Sequence, residues 1–230
     1  MNKVRIMPFG DSITNGFSVA GAYRNELCDL LEKNDYSDKV QFVGSERTGT
    51  GYDNHNEGHS GWAIERISPE DDCEGNGREG IATYADKWLA EAKPDIVLLQ
   101  IGTNDIMALY DLDNAGKRLE KLVDKIINVL PEYGKLYMVK IPYINEKSKY
   151  NLTGKNQAEL YALVDDYNKK VESVANKKIE SGANVELVDM NSVLTFDDLA
   201  DGIHPHAQGY AKMGTVWYNV LKNELDILLK

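Results

Sequence analysis

The stretch Ile96-Val97-Leu98-Leu99-Gln100-Ile101 decides the fold that the sequence predicts. It is almost continuously apolar, as expected of a central strand in a parallel sheet that is covered on both faces. We assign it to a strand over Asp95–Ile101. Four other runs have the character of strands: Val4–Phe9, Val40–Gly44, Lys135–Ile141 and Val185–Asp189. The sequence therefore predicts a five-stranded parallel sheet.

Helical patterns lie between these strands and follow the last of them. Apolar residues recur at the spacing of one helix face over Tyr23–Leu31, Ile81–Ala92, Asn114–Leu130, Lys155–Ile179 and Gln208–Leu229. A shorter helical candidate lies near Trp62–Ile67. Strands that alternate with helices indicate a parallel sheet with helices on both faces. Because no linker or internal repeat is visible, residues 1–230 are expected to form one domain.

The chain is acidic. Its 26 Lys and Arg residues and 37 Asp and Glu residues give a net charge of −11. This balance argues against nucleic acid and anionic membranes as partners. The first strand begins almost at once, so no signal peptide is visible, and no apolar run is long enough to span a membrane. The localisation stays open between a cytoplasmic protein and the mature domain of a secreted enzyme.

The two cysteines and the histidines do not suggest a metal site. Cys28 lies among leucines of the first helix and Cys73 lies in a polar loop. A disulfide between them is possible, but nothing requires it. His204 and His206, with one nearby acid, offer too few ligands for zinc. We expect no metal and no cofactor.

The segment Gly10-Asp11-Ser12 follows the first strand and carries the first candidate for chemistry. The carboxyl edge of an open parallel sheet is where ligands bind. Ser12 is the candidate nucleophile there, although a turn or helix cap would also explain an isolated serine. A serine nucleophile needs a base, a group that orients the base, and donors for an oxyanion. Asp11 is too close in sequence to reach behind the base and is expected to hold the turn.

The segment Asp201-Gly202-Ile203-His204-Pro205 can supply the base and its partner. It lies between the last strand and the last helix. An Asp and a His three positions apart in a tight turn can meet side chain to side chain. The carboxylate then fixes the imidazole tautomer and leaves the other ring nitrogen free to accept a proton from a serine. Pro205 favours an extended conformation at His204. The alternative interpretation is a solvated histidine at a helix start.

Two further polar blocks follow strands at the same edge of the sheet. Gly102-Thr103-Asn104-Asp105 comes directly after the central strand, and Asn104 could offer its side-chain amide to an oxyanion, although a cap also explains it. Asn56-Glu57-Gly58-His59-Ser60-Gly61-Trp62 has glycines that permit an inward-turned N–H. Its tryptophan could wall a pocket or serve in packing. The long loops Ser45–Gly80 and Pro142–Thr153 could help to wall the same cleft.

These four blocks, in this order, resemble the SGNH hydrolase superfamily, also called GDSL-like esterases. The family's marker residues match Ser12, Gly61, Asn104 and His204. The resemblance implies a flavodoxin-like three-layer α/β/α sandwich and hydrolysis of an ester without a cofactor. It implies Ser12 as nucleophile, His204 as base and Asp201 as the partner of the base. The oxyanion hole would comprise the N–H groups of Ser12 and Gly61 and the side chain of Asn104, with the glycine three positions before Gly61 as the alternative.

A narrower resemblance is to carbohydrate esterase family 3, the acetyl xylan esterases. It rests on three stretches: Gly21-Ala22-Tyr23-Arg24, Phe42-Val43-Gly44-Ser45 and His59-Ser60-Gly61-Trp62. Tyr23, Arg24 and Trp62 are predicted to bind substrate. The implied substrate is an ester of a carbohydrate, such as acetylated xylan or a xylo-oligosaccharide.

The acyl group is expected to be short, with acetyl as the first choice. The loops lack a long apolar stretch that could line an acyl channel, whereas Tyr, Trp and Asn side chains suit a sugar. A lysophospholipase or thioesterase on the same fold is the alternative enzyme. The alternative from another class is a non-catalytic carbohydrate-binding module. Such a module would be expected to lack Ser12, Asp201 or His204, and all three residues are present. The oligomeric state stays open.

Overall fold

Strands and helices alternate along the chain, as the sequence predicts. The computed structural model describes residues 3–229. Its strands are β1 (Val4–Gly10), β2 (Val40–Phe42), β3 (Glu46–Arg47), β4 (His55–Gly58), β5 (Ile96–Gln100), β6 (Lys135–Lys140) and β7 (Val185–Asp189). Its α-helices are α1 (Ser12–Asn15), α2 (Arg24–Lys33), α3 (Ile81–Ala92), α4 (Thr103–Met107), α5 (Ala115–Val129), α6 (Gln157–Glu180) and α7 (Ala207–Leu228). Short 3-10 turns lie at Leu112–Asn114 and Phe196–Asp198.

The five predicted strands form one parallel sheet in the order β2-β1-β5-β6-β7. Two short strands extend it. β4 runs parallel to the end of β1, beyond the part that pairs with β2, and β3 pairs antiparallel with β4. Within residues 3–229 the sheet therefore has seven strands rather than five. The sequence does not reveal β3 and β4, because they are two and four residues long and contain no apolar run.

Helices cover both faces of the sheet and enclose two apolar cores. The side chains of β5 alternate between these cores, because successive residues of a strand point to opposite faces. Val97 and Leu99 lie in the core beneath α3, α5 and α6. Ile96 and Leu98 lie in the core beneath α2 and α7. All five residues of β5 are buried, so its predicted central position and the three-layer α/β/α fold are confirmed.

The segment Trp62–Ile67 is not a helix, contrary to the prediction. Ile67 exchanges two backbone hydrogen bonds of 2.9 Å with Arg78, as in an antiparallel bridge. Ile64 donates its N–H to a carboxylate oxygen of Asp105 at 3.0 Å. Tertiary partners therefore take up the backbone donors that a helix would use, and they override the local apolar spacing.

The two cysteines do not pair. Cys28 is buried in α2, Cys73 is exposed, and both thiols are free. Burial raises the pKa of the Cys28 thiol to about 11, which makes it a poor nucleophile. Between residues 3 and 229, no helix is both long enough and apolar enough to cross a membrane.

Candidate active site

Three strand ends meet at one level of the sheet. Gly10, the last residue of β1, pairs with Gln100 at the end of β5 and with Gly58 at the end of β4. The segments that follow these strands therefore emerge side by side at the carboxyl edge, where ligands bind in open α/β sheets. These segments carry Ser12 and Asn104, which lie 92 positions apart in sequence but line one cavity.

Ser12 begins the one-turn helix α1, and both ends of that helix are fixed. The carboxylate of Asp11 caps the helix by accepting a hydrogen bond from the N–H of Ile13 at 2.9 Å. This bond is the turn-holding role predicted for Asp11. Gly16 ends the helix in the left-handed region, with φ of 94°, where a glycine adopts the backbone without steric cost. Ser12 is only 7% exposed, so its hydroxyl faces a restricted space.

The imidazole of His204 lies between Ser12 and Asp201. Its Nε2 atom is 2.8 Å from Oγ of Ser12, and its Nδ1 atom is 2.8 Å from Oδ2 of Asp201. The other carboxylate oxygen of Asp201 accepts the N–H groups of Ile203 and His204, at 3.0 and 2.8 Å. Because an ionised carboxylate can only accept, Nδ1 carries the ring proton and Nε2 is left to accept the proton of Ser12.

Asp201 is held in its charged form. Burial by itself would raise the pKa of this carboxyl group, but hydrogen bonds from the backbone and ring of His204 bring the pKa below its ordinary value. A carboxylate held in this way stabilises the imidazolium that forms when His204 takes a proton. The structure thus brings Ser12, His204 and Asp201 together as one hydrogen-bonded chain, as the sequence predicts.

Asn104 and Gly61 line the same cavity as the Ser12 hydroxyl. Asn104 is the second residue of α4, and both ends of its amide are engaged. Its Nδ2 atom donates to the carbonyl oxygen of Trp62 at 2.9 Å, and its Oδ1 atom accepts from Nη1 of Arg78 at 3.0 Å. A primary amide nitrogen has two hydrogens, so one Nδ2 hydrogen is left for a further acceptor.

Gly61 is better placed than Gly58 to offer its N–H to a ligand. The N–H of Gly58 already donates to Oδ1 of Asn56 at 2.9 Å. A Cβ at Gly58 would also meet the backbone nitrogen of Asn15 at 2.3 Å, so this glycine serves the close approach of β4 to α1. Gly61 borders the cavity with φ of 82°, and no atom lies within 4 Å of a Cβ there. Its backbone conformation, rather than lack of space, favours glycine.

The cavity in front of Ser12 has a volume of about 290 Å³. Phe17 and Tyr150 border it beside His204, with ring centroids 4.8 and 5.9 Å from that of the imidazole. Phe17 and Leu152 are 54% and 61% exposed, so the mouth of the cavity has an apolar rim. The lining near Asn104 includes the charged side chains of Glu74 and Arg78 beside the apolar side chain of Met107.

Tyr23 and Arg24 do not reach this cavity, contrary to the prediction that they bind substrate. They are 0% and 1% exposed. The guanidinium group of Arg24 donates to the carbonyl oxygens of Thr14 and Asn15 at the end of α1. A one-turn helix leaves such carbonyl groups without intrahelical partners, so Arg24 satisfies them and supports the turn that begins at Ser12.

The side chain of Trp62 also lies outside the cavity lining. It stacks on His59, with ring centroids 4.6 Å apart and an interplanar angle of 28°, and packs beside Tyr84 and Trp88. The part of Trp62 that serves the site is its carbonyl oxygen, which holds the Asn104 amide. Of the two interpretations of this tryptophan, the structure favours packing over substrate binding.

Sequence reasoning missed Phe17 and Arg78 as residues of the site. The two long loops that were expected to wall a cleft both do so, through Arg78 and Tyr150 among others. Nothing in the sequence singles out Arg78 within its loop, because its partner Asn104 lies 26 positions away. Phe17 likewise acquires its position only through its tertiary contact with His204.

Two buried carboxyl groups support the segments around the site. Burial raises the pKa of Asp11 to about 7 and that of Asp105 to about 6, although backbone hydrogen bonds from Ile13 and Ile64 oppose the rise. Asp105 also forms a buried ion pair with Arg118 at 3.2 Å. Each acid thus accepts a backbone N–H that fixes one segment: the start of α1 for Asp11 and the stretch after Gly61 for Asp105.

Replacing Asp11 is expected to change how stability depends on pH. The folded pKa of about 7 lies above the ordinary value of 3.8, so the unfolded chain releases this proton first as pH rises. Asp11 therefore lowers the free energy of unfolding progressively between about pH 4 and pH 7, by roughly 1.4 kcal/mol per unit of pKa difference. Asp11→Asn is neutral in both states and keeps an oxygen for the Ile13 N–H. It should gain a few kcal/mol relative to wild type between pH 4.5 and pH 8.

Urea unfolding of both proteins at the two pH values measures this difference. Asp38→Asn, at an exposed position, is the matched control and should show no such gain. If the free energies of unfolding of Asp11→Asn and wild type differed by the same amount at both pH values, the raised pKa of Asp11 in the folded protein would be ruled out.

The geometry defines a class of protein. A serine hydroxyl, an imidazole and a carboxylate form one hydrogen-bonded chain at the carboxyl edge of a parallel sheet, beside N–H donors that could hold an oxyanion. This is the arrangement of serine hydrolases. Among residues 3–229, no group of three or more His, Cys, Asp or Glu side chains is placed to hold a metal ion.

Comparison with known proteins identifies the family. A model of the GDSL-like lipase/acylhydrolase family matches residues 6–217. The chain belongs to this family. A multidomain esterase of Ruminococcus flavefaciens is 34% identical over 233 residues, which cover 96% of this chain and 29% of that protein. The putative endoglucanase X of Acetivibrio thermocellus is 28% identical over 150 residues, which cover 64% of this chain and 58% of that protein. The chain thus spans less than two thirds of the length of either relative.

Solved structures agree with this assignment. A Clostridium thermocellum family 3 carbohydrate esterase has a TM-score of 0.75 and 28% identity, with 98% of this chain and 99% of that chain covered. A family 3 carbohydrate esterase from Talaromyces cellulolyticus has a TM-score of 0.73 and 21% identity, with 97% and 99% covered. The second likeness shows the fold alone. The SGNH hydrolase fold and the resemblance to family 3 carbohydrate esterases are both confirmed.

Proposed function

We propose that this protein is a serine esterase that removes short acyl groups, acetyl first among them, from carbohydrate. Acetylated xylan and xylo-oligosaccharides are the substrates of choice. The observation that carries the proposal is the hydrogen-bonded chain of Ser12, His204 and Asp201, which opens into a cavity of about 290 Å³. Similarity over 98% of the chain to a family 3 carbohydrate esterase supports the carbohydrate part.

The proposed mechanism is acyl transfer to Ser12 followed by hydrolysis. Oγ of Ser12 attacks the ester carbonyl while Nε2 of His204 takes its proton. Asp201 stabilises the imidazolium, which then gives the proton to the leaving alcohol and leaves an acyl-enzyme. Water attacks the acyl-enzyme with His204 again as base, and the acid is released.

The oxyanion of each tetrahedral intermediate would lie among three donors. These are the backbone N–H groups of Ser12 and Gly61 and the Nδ2 hydrogen of Asn104 that Trp62 does not take. Donors fixed in place before the reaction stabilise charge as it develops, because they need no reorganisation. The hydrogen bonds that hold Asn104 from both sides give it this property.

The two parts of the cavity suit the two parts of a sugar ester. His204 must reach the leaving oxygen, so the alcohol would lie beside Phe17 and Tyr150, whose rings offer apolar faces to a sugar ring. The acyl group would lie toward Glu74 and Arg78. Charged side chains are poor neighbours for a long alkyl chain, because burying them against it costs hydration, so a short acyl group is favoured there.

A lipid acyl hydrolase on the same fold is the second candidate. The observation that favours it is the exposed apolar rim formed by Phe17 and Leu152. In a lipid hydrolase the acyl chain would lie along this rim, and the alcohol part would lie beside Glu74 and Arg78. This orientation is the reverse of the one proposed for a sugar ester. The preferred acyl length therefore separates the two candidates.

A series of 4-nitrophenyl esters tests the acyl length. We expect kcat/KM for the acetate to exceed that for the octanoate by at least about 10-fold, with the butyrate between them, because a longer chain would lie against charged side chains and a chain-length mismatch in a pocket is worth about 1–3 kcal/mol. Release of acetate from acetylated xylo-oligosaccharides tests the sugar in the same preparation. Faster cleavage of the octanoate would favour the lipid hydrolase. Binding of acetylated xylan without release of acetate would favour a carbohydrate-binding module.

A further inference from the structure

Arg78 links the irregular loop of residues 68–80 to the site. Its Nη1 atom donates to Oδ1 of Asn104 at 3.0 Å. Its Nη2 atom lies 3.0 Å from Oε2 of Glu74, and its Nε atom lies 3.5 Å from Oδ2 of Asp72. The side chains of Arg78, Asp72 and Glu74 are 12%, 0% and 13% exposed. The guanidinium group therefore forms ion pairs with two carboxylates, at Asp72 without a hydrogen bond, and donates a hydrogen bond to one amide.

The backbone around Arg78 is also fixed. Arg78 and Ile67 exchange two backbone hydrogen bonds of 2.9 Å. The same loop is tied to the end of α4, because Cys73 donates its N–H to the carbonyl oxygen of Ala108 at 3.1 Å. A planar guanidinium group placed in this way loses little freedom when it binds the amide of Asn104.

The contact decides which way the Asn104 amide faces. Arginine has five N–H donors and no acceptor, so the atom of Asn104 that meets it must be the oxygen. The nitrogen is then the atom that lies 2.9 Å from the carbonyl oxygen of Trp62. One Nδ2 hydrogen goes to Trp62 and the second stays available. A cation on the amide oxygen also draws electron density from the nitrogen and strengthens its N–H as a donor.

We propose that Arg78 is a positioning residue of the esterase site, which orients and polarises the Asn104 amide for the oxyanion. The inference rests on the proposed function, since it requires that Asn104 contacts the oxyanion. Asp72 and Glu74 together carry two negative charges against the single positive charge of Arg78, so the group has no net positive charge to offer an oxyanion, and Arg78 acts on it through Asn104. If Arg78 only held the loop, its replacement would lower stability, and its effect on kcat would not depend on Asn104.

A double-mutant cycle with Arg78→Met and Asn104→Ala tests the inference. We expect Asn104→Ala to lower kcat for 4-nitrophenyl acetate by about 10²–10³-fold. Arg78→Met should lower kcat by about 10- to 100-fold, as expected for the loss of a charge-assisted hydrogen bond, with KM within about twofold of wild type. In the Asn104→Ala background, Arg78→Met should lower kcat by less than about threefold, because the amide that it orients is gone.

Two further variants support the cycle. Arg66→Met is the matched control and should keep the kcat of wild type, because Arg66 is 73% exposed, forms an ion pair with Glu79 at 3.6 Å and does not line the cavity. Arg78→Gln keeps a neutral donor and replaces the methionine variant if that one does not fold. Arg78→Gln should also lower kcat, by a smaller factor than Arg78→Met.

Several results would overturn the role of Arg78. These are an equal loss of kcat in both backgrounds, a loss confined to KM, or wild-type kcat in Arg78→Met or in Asn104→Ala. The proposed function fails separately, if Ser12→Ala keeps its activity. If Ser12→Ala were inactive and Arg78→Met had the kcat of wild type, the inference about Arg78 would be refuted and the proposed function would stand.

Discussion

Ser12→Ala is expected to lower kcat for acetyl esters by about 10⁴-fold or more, because it removes the atom that forms the acyl-enzyme. Oγ of Ser12 contacts Nε2 of His204, at 2.8 Å, and Ser12 lines the cavity. Without it, His204 and the oxyanion donors can still act on a water molecule, so some turnover above the uncatalysed rate should persist. The measurement is kcat for 4-nitrophenyl acetate and for acetate release from acetylated xylo-oligosaccharides.

The fold should survive this substitution. Ser12 is the first residue of a helix whose cap comes from Asp11, and alanine leaves that cap in place. The melting temperature should therefore stay close to that of wild type, and binding of the sugar should persist. Ser173→Ala, at an exposed position of α6, is the matched control and should have wild-type kcat. If Ser12→Ala turned over acetyl esters within about tenfold of wild type, the acyl-enzyme mechanism would be wrong.

Asp201→Asn is expected to have the second largest effect, a loss of about 10⁴-fold in kcat near neutral pH. An asparagine can still accept the N–H groups of Ile203 and His204 through its carbonyl oxygen. Its NH₂ group then faces Nδ1 of His204, which must become an acceptor. The ring proton moves to Nε2, and Nε2 can no longer take the proton of Ser12. The imidazolium also loses the carboxylate that stabilises it.

This prediction separates a defect in chemistry from a defect in folding. The turn around residue 201 keeps its backbone hydrogen bonds, so KM and the melting temperature should change far less than kcat. Asp197→Asn changes an exposed aspartate four positions earlier and should leave kcat unchanged. Because the pKa of Asp201 lies below its ordinary value, wild-type activity should not lose this carboxylate until the pH falls below about 4. Near-normal kcat in Asp201→Asn would show that another group orients His204.

The sequence by itself determined the scaffold and the hydrogen-bonded chain of Ser12, His204 and Asp201, because both depend on local patterns. Apolar runs mark the five main strands, and amphipathic spacing marks the five long helices to within two residues at either end. The pairing of Asp201 with His204 is also local, since three positions in one turn bring the two side chains together. Ser12 is placed by the strand end that precedes it, and its partners could be found because every block follows a strand at the same edge.

Only the tertiary structure decided which other residues belong to the site. The register that pairs Gly10 with both Gln100 and Gly58 brings the blocks to one level, and no local pattern encodes it. An arginine beside the first block would ordinarily be expected to face solvent. Arg24 is buried instead, because the short helix α1 leaves carbonyl groups that only a buried donor can satisfy. Arg78 contacts Asn104 because its loop folds back onto α4. Whether a polar side chain near a strand end faces the cavity or the interior depends on partners distant in sequence, and these exist only once the chain has folded.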